Sequence, residues 1–415
     1  MNPAIDPSFF KITAPKQDRI LRRAWVQPVL FSELLNPESS LVSAAKGYGK
    51  STLAWMTQEQ TADKWLNIEL DLVSEIKDDF MDTLLRQITL GIWEYAQTNP
   101  ASLARLQTRA IALRHFLNQF EEVEIAYTLA TLADDYPEHA ETIQKFIEIP
   151  EQKIFHDNTP ITQKLSVLCD CVQKLGFEAV VIWVDLAVEH SQISPIHLAL
   201  LQNFFDSLYL MRRRILHIKC LAQSSVCTQL SQMRGVETLS VATLELSWQP
   251  TQLFELVNKR LNLASAGQLQ SVTELVAEDK FLALLENASD VGNPSEWLIL
   301  TRLIVEAVNQ QKSFPLSEKS WIGVQRTYYG ERVKIRMDEN GYFWREKKWA
   351  IYPVMKYLYE HPGTRSITEL KAALPVDEAN LNTIVFRIRK EHLEPIPSSD
   401  KEDAWIYLIT EPIGY

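Results

Sequence analysis

One short segment of the chain has the residue types that the phosphate tail of a nucleotide requires. It reads Lys46-Gly47-Tyr48-Gly49-Lys50-Ser51-Thr52. Glycines let main-chain N–H groups turn inward without a clash at Cβ, and the start of a following helix adds its positive dipole end. Lys50 would reach the β- and γ-phosphates, and the Ser51 hydroxyl would bind Mg²⁺. The segment therefore predicts a phosphate-binding loop for ATP or ADP with Mg²⁺.

The residues around this segment decide between a real loop and a chance Gly-Lys-Ser sequence at the start of a helix. The strict loop pattern has glycine at its first position, where this chain has Ala44. A methyl group is tolerated there if the φ angle is negative. An apolar stretch at 40–43 and an amphipathic stretch at 52–60 predict a strand before the loop and a helix after it. This arrangement favours the phosphate-binding interpretation.

A carboxylate closes the most apolar run of the chain, residues 179–184 followed by Asp185. Such a run is typical of a strand buried on both faces of a parallel sheet. Asp185 at its end would help to hold Mg²⁺, or alternatively would cap a helix or a turn. The next residue is Leu186, and Glu189 is the nearest acid that could polarise an attacking water. We therefore expect ATP binding with slow or absent hydrolysis, and no more than a slow ATPase.

Strands and helices alternate along the first 250 residues, which indicates how these groups are positioned. Apolar runs at 40–43, 65–70, 179–184 and 216–222 predict strands, with helical spacing of apolar residues between them. This order predicts an α/β fold with a P-loop NTPase core, built on a doubly wound parallel sheet. The strand predicted at 216–222 is followed by Gln223 and Ser224, without an arginine to contact a γ-phosphate.

The chain of 415 residues exceeds the roughly 250–300 at which a single core usually stops growing, so at least two domains are expected. The predicted parts are an N-terminal arm (1–37), the core (38–250) with a helical insertion (about 98–160), a helical lid (251–312), a linker (313–332) and a C-terminal domain (333–415).

Composition and charge restrict the class of partner and the compartment. The net charge of −11 argues against a general polyanion binder but leaves room for DNA contact through one small face. Without a secretory leader or an apolar run of about 18 residues, the chain is expected to be cytoplasmic and free of the membrane. The four cysteines, without zinc-site spacing, are interpreted as reduced core thiols: Cys169, Cys171, Cys220 and Cys227.

The phosphate-binding segment with its flanks, Leu41 to Leu53, resembles the P-loop of the STAND signal-transduction ATPases, in particular the maltose-regulator-like transcription activators. Residues 65–71 are similar to the second strand of that family. Gly292-Asn293-Pro294 is similar to the glycine-x-proline signature of its lid domain. The resemblance implies a lid closed over an adenine nucleotide, with Pro294 against the adenine. It also implies switching between ADP-bound and ATP-bound forms, often with self-association.

Residues 337–415 resemble the winged helix of OmpR-type response regulators, with a hairpin signal at Asn340-Gly341 and a closing Gly-Tyr. Residues 380–390 correspond to its recognition helix. The resemblance implies contact with double-stranded DNA, although the arginines of this helix could instead pair with nearby acids, and the module could bind protein. The candidate DNA-binding residues are Asn380, Thr383, Arg387 and Lys390 on one face, with Arg389 against the DNA backbone.

Two functions of different classes follow. The first is an ATP-binding switch whose nucleotide state controls the winged helix, as a DNA-binding transcription regulator that responds to a protein effector. The second is a protein-interaction scaffold that keeps ATP as a structural ligand, in bacterial defence or mobile-element machinery. An active motor ATPase is disfavoured by Leu186.

Overall fold

A computed structural model gives the structure of the protein for the larger part of the chain. It describes residues 5–12, 16, 18, 20–70, 80–120, 125–149, 154–156, 158–186, 198–199, 201–203, 205–206, 215–239, 241–288, 291–332, 334–338, 341–342, 367–373, 381 and 405–407. The chain divides into two compact units. The sheet unit comprises Ala14–Lys16 and Pro28–Ser247, and the helical unit comprises Met1–Thr13, Gln17–Gln27 and Trp248–Tyr415.

The described elements follow one another in this order along the chain. The strands are β1 (Ser40–Ser43), β2 (Trp65–Leu70), β3 (Ala179–Asp185), β4 (Leu216–Ala222), β5 (Ala242–Glu245), β6 (Lys334–Asp338), β7 (Gly341–Tyr342) and β8 (Trp405–Tyr407). The α-helices are α1 (Leu21–Ala24), α2 (Phe31–Leu34), α3 (Lys50–Thr61), α4 (Phe80–Thr98), α5 (Leu103–Leu106), α6 (Ala110–Phe120), α7 (Ile125–Asp135), α8 (Ala140–Ile147), α9 (Ile161–Leu175), α10 (Ser224–Ser231), α11 (Arg234–Thr238), α12 (Pro250–Ala264), α13 (Glu278–Ala288), α14 (Pro294–Gln311), α15 (Glu318–Arg332) and α16 (Ile367–Ala373).

The sheet unit is built on a parallel sheet with the strand order β2-β3-β4-β1-β5. All four neighbouring pairs are parallel. β3 is buried along its length until its last residue, as a continuous apolar run predicts for a central strand covered on both faces. Strand β1 lies between β4 and β5, so the loop that follows β1 emerges beside the end of β4. The predicted α/β fold with a P-loop NTPase core is confirmed.

Helices α4 to α9 belong to the same hydrophobic core as the sheet. Ile88, Phe116 and Ile143, from α4, α6 and α8, are fully buried and lie in one cluster with residues of β3 and β4. The Arg105 Nη1 atom donates a hydrogen bond of 3.0 Å to the main-chain oxygen of Leu175. The described residues of the helical insertion predicted at about 98–160 thus contribute to the core of the sheet unit.

Helix α9 ends where the sequence predicts a helix stop. Gly176 follows the last helical residue with φ at 105°, and its N–H reaches back to the helix. Side chains rarely adopt this left-handed conformation, so a glycine is favoured at this position. The turn returns the chain directly into β3, the strand that carries Asp185.

The N-terminal region predicted as one arm, residues 1–37, is divided between the two units. Its described residues up to 27 belong to the helical unit, apart from position 16, whereas residues 28–37 belong to the sheet unit. The difference has a physical cause: the apolar residues of this region are buried by helices more than 200 positions later in the chain. Local sequence does not reveal such partners.

Contacts across this large sequence separation hold the N-terminal residues in the helical unit. Ile5, Phe10 and Val26 are buried in the core of that unit. The Asn309 side chain of α14 pairs with the main chain of Ile5, since its Nδ2 donates to the oxygen at 2.6 Å and its Oδ1 accepts from the N–H at 3.2 Å. The first residues are therefore an integral part of the helical core.

A buried ion pair adds to this attachment. The Arg260 Nη2 atom on α12 lies 2.6 Å from Asp18 Oδ2, with the two side chains only 5% and 10% exposed. The Nη1 atom of the same arginine donates to the main-chain oxygen of Phe9 at 2.7 Å. Water is largely excluded from this pair. Removal of one partner therefore leaves the other as a buried charge without compensation.

The region predicted as a linker, residues 313–332, is largely helical. Helix α15 covers Glu318–Arg332 and buries Trp321, Val324 and Tyr328 in the core of the helical unit. The prolines and polar residues near 315 mark only the turn before this helix. Apolar spacing in α15 is the signal that identifies it as part of a domain.

The C-terminal region contributes a three-stranded antiparallel sheet with the order β7-β6-β8. Asp338 of β6 pairs with Gly341 of β7, and residues 339–340 between them lie outside the described residues. Residues of the predicted recognition helix other than 381 lie outside the described residues, as does Glu189. The five candidate DNA-binding residues are therefore not placed: Asn380, Thr383, Arg387, Arg389 and Lys390.

All four thiols are buried, as their interpretation as core residues predicts: Cys169, Cys171, Cys220 and Cys227. Burial raises the pKa of the Cys171 thiol to about 12.

In the part of the chain that the structure describes, no helix combines the length and the apolarity needed to cross a bilayer.

A buried lysine on β4 holds the chain that precedes β1. Lys219 is 1% exposed, and its Nζ donates to the main-chain oxygens of Asn36 at 2.8 Å and Glu38 at 3.0 Å. Its Nζ also lies 6.0 Å from the centre of the Trp65 ring. Burial lowers the pKa of Lys219 to about 8, and the nearby charge of Glu38 acts in the opposite direction.

This lowered pKa predicts a pH dependence of stability. Between about pH 8 and the ordinary lysine pKa of 10.5, the unfolded chain keeps a proton that the folded protein has released. The free energy of unfolding contributed by Lys219 should therefore rise with pH across that window, and stay constant below it. Urea denaturation of the wild type and Lys219→Met from pH 7 to 10 measures the difference between the two proteins.

The comparison with Lys219→Met isolates the lysine because the variant removes its ionisable group and keeps the other titrating groups. We expect the free energy of unfolding of the wild type, minus that of the variant, to increase above pH 8. A difference that stays flat to pH 10 would contradict the lowered pKa.

Candidate phosphate-binding site

The predicted loop lies between β1 and α3 in the sheet unit, as its sequence pattern indicates. Gly47 and Gly49 have φ angles of 89° and 86°, in the left-handed region that favours glycine. A Cβ added at Gly49 would meet no atom within 4 Å, so the backbone angle and not space requires glycine there. Ala44 does not have a positive φ angle, so a methyl group is tolerated at the first loop position.

The loop is fastened at both ends by main-chain hydrogen bonds. The N–H of Ala44 donates to the oxygen of Ala222, the last residue of β4, at 3.1 Å. The N–H of Leu53 donates to the oxygen of Gly49 at 2.8 Å, which starts the ladder of α3. A helix that begins at the end of a glycine-containing loop presents N–H groups and a positive dipole end, the combination that binds phosphate.

The Lys50 ammonium group is directed into the loop. Its Nζ donates to the main-chain oxygens of Ala44 at 2.8 Å and Ala45 at 3.0 Å. An ammonium group has three protons, so a phosphate oxygen can accept the third. Burial lowers the pKa of Lys50, whereas the charges of Asp185 and Cys227 oppose that shift. Lys50 therefore supplies a partly desolvated positive charge at the centre of the loop.

The structure brings Ser51 and Asp185 together across the end of the sheet. The Ser51 Oγ donates to Asp185 Oδ2 at 2.6 Å, although the two residues are separated by 134 positions. A serine hydroxyl beside a carboxylate is the donor set that holds Mg²⁺ next to a nucleotide phosphate, directly and through water. The residues present therefore fit Mg²⁺, with Ser51 and Asp185 as the groups that would hold it.

Phosphate oxygens would have to complete such a metal site. Among the described residues, no group of three or more His, Cys, Asp and Glu side chains is arranged to hold a metal ion. Mg²⁺ prefers near-octahedral oxygen coordination and commonly reaches it with one or two protein groups plus substrate phosphates and water. Metal binding at this loop is therefore expected to depend on the nucleotide.

The groups next to Asp185 and β4 determine what chemistry the site can perform. Leu186, directly after Asp185, is 5% exposed and offers no group that could polarise water. On the neighbouring strand, Gln223 is the N-cap of α10, and Ser224 is the first residue of that helix. The arrangement supports binding of a phosphate tail more clearly than its hydrolysis.

A serine that the sequence pattern does not single out connects the loop to α10. The Ser43 Oγ, at the end of β1, donates to Ser224 Oγ at 2.9 Å. Burial raises the pKa of Cys227, and a side-chain hydrogen bond between that thiol and Ser43 acts in the opposite direction. The signal in the sequence is a hydroxyl at the end of β1, directly after the apolar Leu41 and Val42. Its partner is 181 positions away, so the pairing itself requires the structure.

Pro294 and the loop segment lie in different units. Pro294 is buried at the first position of α14 in the helical unit. The side chain of Asn293 caps this helix by accepting from the Ser295 N–H at 3.0 Å, and the Trp297 Nε1 donates to the oxygen of Val291 at 2.7 Å. The predicted glycine-x-proline segment is thus a rigid helix start, and its contact with adenine stays a prediction.

Comparisons with known proteins give low similarity. No protein-family model matches the sequence, and no curated protein matches it. Among solved structures, the chain is similar to Cdc6p from Pyrobaculum aerophilum, with a TM-score of 0.41 and 11% identity over 99% of this chain and 95% of that one.

Two structures from Aeropyrum pernix are similar at the same level. The ORC2 protein in its ADPNP-ADP complexes has a TM-score of 0.39 and 13% identity, over 78% of this chain and 72% of that one. The ORC1 protein in complex with DNA has a TM-score of 0.39 and 10% identity, over 88% of this chain and 83% of that one. Identities and TM-scores this low assign neither a family nor a function to the chain.

Proposed function

We propose that the protein is an ATP-binding signal-transduction switch of the STAND type. The observation that carries this proposal is the loop between β1 and α3, where Lys50 is directed into the loop and Ser51 lies 2.6 Å from Asp185. Two left-handed glycines, a helix start and a partly buried ammonium group suit a triphosphate. Bound Mg²⁺ would neutralise phosphate charge there, and Ser51 and Asp185 would orient it.

The same site is proposed to hydrolyse ATP slowly or not at all. Leu186 replaces an acid beside Asp185, and no arginine follows β4 within the described residues up to 232. Both departures remove groups that stabilise the transfer of a γ-phosphoryl group. A steady-state turnover well below the order of 1 s⁻¹, the lower end of ordinary enzymatic rates, is expected.

In this proposal the nucleotide state is transmitted to the C-terminal region. Residues 251–312 would act as the lid, with Pro294 contacting adenine, and residues 333–415 would be a winged helix that binds DNA. Differential affinity of ATP and ADP for two conformations would shift their populations. Arg387 and Lys390 would contact bases or phosphates, so salt should weaken DNA binding steeply.

The nucleotide content of the purified protein and its thermal stability test the proposal. ATP with Mg²⁺ at about 100 times its dissociation constant should add roughly 2.7 kcal/mol to the free energy of unfolding. Retained nucleotide identified by chromatography as ATP would support slow hydrolysis. Absence of stabilisation by ATP and ADP at millimolar concentration would refute nucleotide binding and with it the switch.

The net charge of −11 favours one alternative for the same site. A protein-interaction scaffold with structural ATP would bind nucleotide but not DNA, since an acidic chain repels polyanions outside a specific face. Fluorescence anisotropy of labelled double-stranded DNA across a salt series distinguishes the two. Salt-dependent binding that Arg387→Ala weakens supports the regulator, whereas nucleotide binding without DNA binding supports the scaffold.

A further inference from the structure

Asn67 on β2 joins three elements of the sheet unit through its side-chain amide. Its Oδ1 accepts a hydrogen bond of 2.9 Å from Trp183 Nε1 on β3. Its Nδ2 donates to the Thr61 Oγ1 atom, in the last turn of α3, at 3.2 Å. Trp183 and Thr61 are 2% and 3% exposed, so water does not substitute for these contacts. Asn67, itself half-buried, therefore links the C-terminal end of α3 to β3.

The same strand also contacts the other end of α3. Side chains two positions apart on a strand project from the same face of the sheet, so Trp183 and Asp185 share one face. Asp185 accepts from Ser51 in the first turn of α3, and Trp183 reaches Thr61 through Asn67. Helix α3 is thus attached to β3 at both ends by side-chain hydrogen bonds, which require defined distances and angles.

The length of the helix makes the second attachment important for the first. Twelve residues span about 18 Å, and an α-helix behaves as a rigid rod over that distance. A shift at Thr61 is transmitted along α3 to Ser51, because α3 cannot bend locally without loss of its own hydrogen bonds. Thr57 and Thr61, on the buried face of the helix, donate to main-chain oxygens one turn earlier at 2.8 Å. Their hydroxyl protons are therefore already used within α3.

We propose that Asn67 is a positioning residue for Mg²⁺. It fixes the C-terminal end of α3 against β3 through Trp183, and thereby sets the separation of Ser51 from Asp185. This inference rests on the proposed binding of ATP with Mg²⁺. Lys50 also begins α3, but its long side chain is held by the oxygens of Ala44 and Ala45 and can adjust to a phosphate, whereas the short Ser51 side chain cannot adjust to the metal. Asn67 therefore affects the contribution of the metal more than the contribution of the phosphates.

The ratio of two dissociation constants for ATP measures that contribution, one in excess EDTA and one in excess Mg²⁺. For Asn67→Ala, we expect the constant in EDTA to stay within about twofold of the wild type. The gain in affinity that Mg²⁺ produces should fall by about tenfold. Isothermal titration calorimetry gives both constants, and its readout does not require ATP hydrolysis.

Two further variants separate positioning from general destabilisation. Trp183→Phe removes the indole N–H together with part of the ring, should lose a similar part of the Mg²⁺ gain, and should add little when combined with Asn67→Ala. Thr89→Val is the matched control, since Thr89 is fully buried on α4 and its Oγ1 donates to the Leu85 oxygen at 2.8 Å. It should lower the melting temperature and leave the Mg²⁺ gain unchanged.

The outcomes distinguish the inference from the function on which it rests. If the wild type binds ATP in neither condition, the proposed function fails. If the wild type shows the Mg²⁺ gain and Asn67→Ala and Trp183→Phe keep it in full, the positioning role alone is overturned. An equal loss of the gain in Thr89→Val would also overturn it, because a buried hydroxyl outside the chain of contacts from α3 to β3 would then have the same effect.

Discussion

Replacement of Lys50 by alanine is expected to abolish the stabilisation that ATP gives, with little effect on the fold without nucleotide. The ammonium group is partly buried and is directed into the loop by the oxygens of Ala44 and Ala45. Charge-assisted hydrogen bonds to phosphate contribute about 1.5–3 kcal/mol each. Loss of the one such bond that the third proton can make weakens affinity by roughly 10- to 100-fold, since about 1.4 kcal/mol corresponds to tenfold.

Calorimetric titration of ATP into Lys50→Ala measures this loss, and the melting temperature in the presence of ATP measures its effect on stability. Lys64→Ala is the matched control, because it removes one positive charge from an exposed residue just after α3. It should bind ATP like the wild type. If ATP stabilises Lys50→Ala as much as the wild type, the nucleotide does not bind in this loop.

The second large effect concerns stability of the helical unit. Arg260→Ala removes one partner of an ion pair whose side chains are 5% and 10% exposed, and also removes the hydrogen bond to Phe9. Breaking a buried pair costs about 3–5 kcal/mol, because the remaining carboxylate of Asp18 stays desolvated. Urea denaturation, with amide exchange of α12 as a local readout, should show this loss.

A surface pair of the same unit provides the comparison. Lys280 and Glu318 also form an ion pair, but their side chains are 42% and 68% exposed. Glu318→Ala should therefore cost about 1 kcal/mol or less. Replacing both buried partners, as Arg260→Met with Asp18→Leu, should recover part of the loss, since no buried charge remains. A cost for Arg260→Ala as small as that for Glu318→Ala would contradict the buried character of the pair.

The sheet unit could be anticipated from sequence because its signals are local. A continuous apolar run predicts β3, and the loop residues around Lys50 require a strand before them and a helix after them. Parallel strands end at one edge, so the proximity of Ser51 and Asp185 follows from topology once both strands are assigned. The structure places these two residues together. Their binding of a metal stays a prediction.

The contacts that escape the sequence are those between distant segments. In the sequence, Asn67 is one polar residue in a predicted strand, and the neighbouring residues do not identify Trp183 and Thr61 as its hydrogen-bond partners. The residues that bury Ile5 and Phe10 occur more than 200 positions later. The Pro-containing turn before α15 favours a linker, whereas the helical spacing of Trp321, Val324 and Tyr328 indicates a helix with one buried face.

The division of the helical unit along the chain has a consequence for its biosynthesis. Residues up to 27 leave the ribosome about 220 residues before the helices that bury them, a delay on the order of 10–40 s at ordinary translation rates. The sheet unit is complete before that point and can fold first. During the delay Ile5, Phe10 and Val26 lack their native cover, so this interval is when the nascent chain is most exposed to aggregation and to chaperone binding.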